Sequence, residues 1–342
     1  GSQMTAVGAG ALNSANPATA TDMWNVAVGV NAGLSVTTGV QNVLLGGRSG
    51  DALTDADFNT ALGDSTLSLD TLGSRNVAIG YAALNQQNFT TATDSYNVAV
   101  GALAGLNVTS GLQNTLIGGL AGDALTDADN NTAVGYLALT TNQLGSGNTA
   151  IGVDALSTSN PATAAITYNT AVGFQCGKSV TTGVRNTLIG GNAGDAITDG
   201  DDNTFIGYVT GTYQNDLTTG HHNTIIGAFS TTTATNTDTA GGLGYNLDCE
   251  GGFTTLGNGS SDIRAQHGVA SWSTVSDERY KKDIVDSTAG LSFINALKPR
   301  TFNYKNKGEL PDTFRAYEKD SSEVFKSDQT QHGFIAQEVK EA

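Results

Sequence analysis

Apolar and polar positions fall into short, evenly spaced packets along the first two thirds of the chain. Each packet is an Asn, a Thr or Val, a mostly small residue, a Val, Leu or Ile, and a Gly. It reads NVAVG from Asn25, NVLLG from Asn42, NTALG from Asn59 and NVAIG from Asn76. It returns as NVAVG at Asn97, NTLIG at Asn114, NTAVG at Asn131 and NTAIG at Asn148. NTAVG at Asn169, NTLIG at Asn186, NTFIG at Asn203 and NTIIG at Asn223 complete the series. A partial copy, TAVG, runs from Thr5 to Gly8. Three β-favouring residues between turn formers predict a strand of three residues. Such a strand does not stand alone, but stacked in register it builds a ladder with rungs about 4.8 Å apart.

The spacing of the motif asparagines sets the architecture. From Asn25 it runs 17, 17, 17, 21, again 17, 17, 17, 21, and then 17, 17, 20. Four motifs therefore make a unit of 72 residues, with starts at Asn25, Asn97 and Asn169. The connecting text repeats at the same interval: SVTTGVQN from Ser35 returns as NVTSGLQN from Asn107 and SVTTGVRN from Ser179. Self-similarity of this kind is the mark of a repeat architecture. The expected fold is all-β, a repetitive parallel β-solenoid or β-roll with one rung per motif, thirteen rungs in all and roughly 60 Å long. The Val or Ile before each Gly is expected to face the interior and the small residue before it the opposite side. The Asn is expected to supply the left-handed corner and to ladder its amide along the stack.

Composition narrows the function classes. Gly makes up 44 of 342 residues and Pro only 4, which excludes collagen. Two cysteines make no disulfide framework. No run of about 18 apolar residues occurs, so no spanning helix and no membrane insertion is expected. Net charge is −16 and uneven. Residues 1–230 hold 16 Asp against 4 basic residues, whereas residues 231–342 hold 16 acidic and 12 basic. An acidic surface argues against nucleic acid as a partner. That shift in composition divides the chain into repeats over 1–230, a Thr- and Gly-rich β-rich neck over 231–272, and a third segment over 273–342.

The Asn-x-Ala-Ile-Gly text over about residues 4–230 resembles the head domain of trimeric autotransporter adhesins of the YadA type and similar repeats of phage tail fibres. The resemblance implies a parallel β-roll assembled as a trimer. The 17- and 21-residue period is longer than the usual head repeat.

The third segment carries a different pattern. VSDERYKKDI spans Val275 to Ile284. Ser287 is placed to cap a helix in which Leu291, Ile294 and Leu297 share a face, stopped before Pro299. TFNYK from Thr301 alternates like a strand, and HGFIAQEV from His332 to Val339 reads as a strand passing into a helix. Ser276-Asp277, Arg279, Lys281, Ile284, Leu297-Lys298-Pro299, Phe302, Tyr304 and Gly333-Phe-Ile-Ala-Gln-Glu338 together resemble the small α+β intramolecular chaperone at the C-terminus of phage tail spikes, tail fibres and endosialidases. The family module continues with further helices beyond the point reached at Ala342. The resemblance implies a chaperone that drives three chains into register and then releases itself by one self-cleavage. Ser276 would be the nucleophile and Lys281 its base, with Asp277 and Arg279 as motif residues. A lysine serves as base only when neutral, which burial favours. Any enzymatic activity is thus expected to be at most single-turnover autoproteolysis.

Other candidates are weighed against blander roles. Asp51, Asp55 and Asp57, with their copies at Asp123, Asp127, Asp129 and Asp195, Asp199, Asp201, offer hard oxygen ligands to Ca²⁺, but Asp in turns more often serves the backbone. Cys176 stands where other units have Ala32 and Ala104, a packing position. His221-His222 offers adjacent imidazoles to a metal or ions at a trimer axis, but reads first as a solvated turn. Trp24, Tyr96 and Tyr168 are equivalent residues suited to stacking on sugars or packing over a rung edge. No metal or cofactor is expected. The reading is a structural and adhesive homotrimeric tail fibre of a phage virion, whose partner is a host cell-surface receptor, a glycan or an outer-membrane component. A trimeric adhesin of the bacterial cell surface is the alternative, and a polysaccharide depolymerase ranks last.

Overall fold

The computed structural model describes residues 2–17, 19, 21–259, 261–269, 273–274, 297–314, 316–325 and 330–333. The chain divides into two compact units, 1–275 and 276–342. The first is a parallel β-solenoid. Every motif forms its three-residue strand, from Val26–Val28 to Thr224–Ile226, and Thr5–Val7 forms the first rung. Register is fixed one strand to the next: Ala27 lies opposite Leu44, Leu44 opposite Ala61 and Ala61 opposite Ala78. The 21-residue turns spend their extra residues on small secondary ladders, Gly73–Ser74 with Thr93–Asp94 and Gly145–Ser146 with Ala165–Ile166.

The ladder continues past the last motif. Gly241–Tyr245 pairs in parallel with Thr224–Ile226, and Phe253–Asn258 pairs in parallel with Gly241–Tyr245. Only then does pairing turn antiparallel, with Ser261–Gln266 against Phe253–Asn258 and Ser273–Thr274 against Ser261–Gln266. The turn-rich text after residue 230 hid these two rungs because neither carries the Asn-led motif.

The faces of the strands are the reverse of those expected. The middle residue points inward: Ala27, Leu44, Ala61, Ala78, Ala99, Leu116, Ala133 and Ala150 are all wholly buried. The Val, Leu or Ile before the Gly points out, with Leu62 45 % and Ile117 39 % exposed. The cause is the narrow interior. A coil of 17 residues closes tightly, so most rungs admit only Ala at the strand centre, and the space left is shared with the following turn. Where the centre is Leu, the turn offers Gly: a Cβ on Gly105 or Gly122 would sit 2.7 Å from a Leu116 methyl. Where the centre is Ala, as at Ala61 and Ala133, the turn supplies Leu67 and Leu139, also wholly buried. Large and small residues thus alternate to fill one continuous core.

The asparagines act differently from expectation as well. None of the motif asparagines adopts a left-handed backbone; the residue before each does, as at Trp24 (φ 54°), Phe58 (φ 59°) and Tyr96 (φ 51°). The Asn side chains are buried and form the expected ladder. Asn42 N–H donates to Asn25 Oδ1 (2.8 Å), Asn59 N–H to Asn42 Oδ1 (2.9 Å), and the series runs on to Ala240 N–H on Asn223 Oδ1 (2.8 Å). Most of the amide groups also donate across the coil, as Asn25 Nδ2 does to the Gly39 carbonyl (2.7 Å). A carboxamide supplies both an acceptor and a donor, so it satisfies a buried corner that a left-handed residue alone would leave open. The Gly that ends each strand is required by close approach: Gly118 has φ +133°, and a Cβ there would lie 2.5 Å from the Gly135 carbonyl oxygen.

Candidate functional site

Ser276, Asp277, Arg279 and Lys281 lie outside the described residues, as do Ser287, Leu291, Ile294 and the text from Phe334 to Val339. Described parts of the second unit show its framework. Arg300–Phe302 pairs antiparallel with Gln331–Gly333, Thr301 opposite His332. Tyr304 packs edge-on to both Phe302 (5.6 Å between ring centroids) and Phe325 (6.1 Å). Lys307 Nζ bridges Glu318 (2.9 Å) and Glu323 (2.8 Å), and both carboxylates raise its pKa. The motif aromatic Phe302 thus lies in this strand pair, with Tyr304 packed beside it.

In the solenoid, the outward face of the ladder is the largest unassigned feature. The first and third residues of each motif strand share this face. Across all twelve motifs these positions hold only Thr, Val, Leu and Ile, with no charge and no amide. Val28, Val43, Leu62, Ile117, Ile151, Ile189 and Ile226 are all more than a third exposed. Twelve strands at about 4.8 Å, each about 10 Å long, make a charge-free, largely apolar strip of roughly 550 Å² in which Thr is the one polar residue type. That is near the upper end of the largest patch on an ordinary monomer. Sequence reasoning assigned these side chains to the core and so missed the strip. The signal was present, since a solvated strand face is expected to carry polar residues at alternate positions.

The aspartates serve the coil. Asp57 and Asp129 each accept the backbone N–H of the preceding turn, from Val40 and Leu112 (both 2.7 Å), and Asp201 accepts that of Val184 (2.8 Å). Burial raises the Asp57 and Asp123 carboxyls above their ordinary value. No group of three His, Cys, Asp or Glu suited to a metal ion occurs among the described residues. Asp201 N–H donates to His221 Nδ1 (2.9 Å), which makes His221 a member of the same column rather than a solvated turn residue. Cys176 is buried against the Leu188 and Ala193 carbonyls, and desolvation pushes its thiol up to about 12. Tyr96 and Phe58 flank the Arg75 guanidinium at 5.8 and 4.6 Å, and Arg75 pairs with Asp94 (3.0 Å). These aromatics therefore pack along a rung edge while staying half exposed.

Among the described residues no helix is long and apolar enough to cross a membrane. No curated protein and no solved structure matches the chain. Residues 276–342 match the family model described as chaperone of endosialidase, so the second unit is similar to the chaperone module of tail-fibre and tail-spike proteins, carried here behind a parallel β-solenoid.

Proposed function

We propose that the chain is the shaft or head of a homotrimeric phage tail fibre or spike that attaches the virion to a host surface. The endosialidase-type chaperone at 276–342 carries this reading. The strip supports the trimer: a charge-free ladder face of this length offers apolar area for burial, and a second and third copy present the same strip in the same register. In this reading the chaperone aligns three chains before the strips meet, and Ser276, with Lys281 as base, then severs it. Release after folding makes assembly irreversible, which is kinetic stability.

Intact mass of the denatured full-length chain beside its Ser276→Ala variant tests the processing step. The wild type is expected to split near residue 276 and the variant to stay whole; two whole chains refute self-cleavage. Light scattering tests assembly separately. The native protein is expected at three times the chain mass, and Ile151→Glu with Ile189→Glu is expected to shift it to the monomer. A monomeric wild type overturns the trimer.

A further inference from the structure

The third 72-residue unit departs from the first two in the partner of one aspartate, and an open cavity lies there. In the first unit Ser68 Oγ donates to Asp51 (2.7 Å), and in the second Thr140 Oγ1 donates to the equivalent Asp123 (2.5 Å). These rung-to-rung bonds tie the carboxylate down. The equivalent pair in the third unit is Asp195 and Thr212, and it does not bond. Thr212 Oγ1 turns to the Asn192 carbonyl (3.2 Å), and Asp195 instead accepts from Asn192 Nδ2 (2.9 Å). Asn192 stands where the other units have Arg48 and Leu120. The turn that follows is also longer: the spacing from Asn203 to Asn223 is 20 rather than 17, and the lengthened stretch contains Tyr213 and Asp216.

The result is an open, shallow cavity of about 430 Å³ on the surface, lined in part by Asp195, Asn192, Tyr208, Thr212, Asp216 and Ser179. Tyr208 is 55 % exposed, and its ring is fixed by an edge contact to Phe229 (5.4 Å between centroids), which in turn meets Tyr213 (5.1 Å). One aromatic plane thus stands beside two carboxylates, a carboxamide and two hydroxyls. An aromatic ring accepts the C–H face of a pyranose, and carboxylate and amide groups accept and donate to its hydroxyls. No Lys, Arg or His is among the described residues that line the cavity, and the repeats are strongly acidic, so an anionic sugar is disfavoured.

We infer that the cavity at Tyr208, Asp195 and Asp216 binds a neutral hexose or hexosamine, the contact through which the fibre holds a host-surface glycan. The host-surface origin of the sugar rests on the proposed function; the cavity and its chemistry do not.

Saturation-transfer NMR on the full-length protein tests it, with free galactose, glucose and N-acetylglucosamine as probes beside N-acetylneuraminate. Transfer to the ring protons of at least one neutral sugar is expected, with none to N-acetylneuraminate. Asp216→Ala and Tyr208→Ala are each expected to weaken binding about tenfold or more, the scale of one lost charge-assisted bond or stacked ring. Asp216 is an exposed residue of the lengthened stretch, so its variant keeps the fold, which an unchanged melting transition checks. Absence of transfer from every neutral sugar overturns the inference, and so does full transfer in either variant. Equal transfer to N-acetylneuraminate overturns the neutral class. A trimer that attaches to cells without sugar transfer removes this site and leaves the fibre standing.

Discussion

The asparagine ladder makes a quantitative prediction because one of its rungs is incomplete. Asn114 is a full member. Its Oδ1 accepts Asn131 N–H (3.0 Å) and its Nδ2 donates to the Ala128 carbonyl (2.8 Å). Asn131 keeps the first role, accepting Asn148 N–H (2.9 Å), but its Nδ2 has no partner although the residue is wholly buried. The reason lies eleven residues on. Asn142 Nδ2 takes the Gly145 carbonyl (2.7 Å), the acceptor whose first-unit equivalent, Gly73, is held by Asn59 Nδ2 (2.9 Å). Asn114→Ala strands two buried backbone groups, Asn131 N–H and the Ala128 carbonyl. At about 1–3 kcal/mol each, the cost is about 4 kcal/mol. Asn131→Ala strands Asn148 N–H, while Asn148 Nδ2 loses one acceptor but keeps the Gly145 carbonyl (3.4 Å), and it removes a donor that was already unpaired, so its net cost is about 1 kcal/mol. A solenoid opens locally, so a global melting point blurs this difference, and amide hydrogen exchange by mass spectrometry is the suitable assay. Exchange of peptides spanning residues 110–150 is expected to accelerate about a thousandfold in Asn114→Ala and about fivefold in Asn131→Ala. Equal acceleration in the two variants refutes the hydrogen-bond account of the ladder.

Two further outcomes follow from the same interior. Leu116→Ala leaves a void between Gly105 and Gly122, neither of which has a side chain to fill it, and is expected to cost about 3–5 kcal/mol, read as a lower melting temperature. Asp70 is wholly buried, accepting Gln87 Nε2 (2.6 Å) and Gly73 N–H (3.0 Å), and burial raises its pKa. A raised carboxyl contributes stability that is present below its unfolded value, about 3.9, and lost as pH rises through the folded value. The stability of the wild type relative to Asp70→Asn is therefore expected to fall as pH rises above about 4 in paired thermal melts; a gap independent of pH refutes burial of the charge.

The ladder was legible in the sequence because its period is carried by backbone requirements that only particular residues meet. A carboxamide must bridge each corner and a Gly must let the next rung's carbonyl approach, so Asn and Gly mark every strand whatever else varies. The direction of the side chains was not legible in the same way. Alternation fixes which residues share a face, but not which face is inside. A reading that puts the larger apolar residue in the core is sound for a wide interior and fails for a coil of 17 residues, where Ala27, Ala61 and Ala99 leave room for nothing larger. The two rungs after residue 230 were hidden for a related reason: Gly241–Tyr245 and Phe253–Asn258 keep the parallel pairing without the Asn bridge.

The cavity shows the other limit. Asp195 sits in the text GDAITDGD, a near copy of GDALTDAD, and nothing local distinguishes it from Asp51 and Asp123. Its different role comes from Asn192 three residues before it and from a lengthened stretch more than a dozen residues after it. Only the rung-to-rung register brings these together. In a repeat of this regularity, departures from the period carry more information about function than the period itself. The repeated positions build the coil, and the charge-free strip follows from the coil. A ligand, by contrast, needs a place where the coil departs from its own pairing. Asp195, turned from Thr212 to Asn192 beside an exposed Tyr208, is such a place.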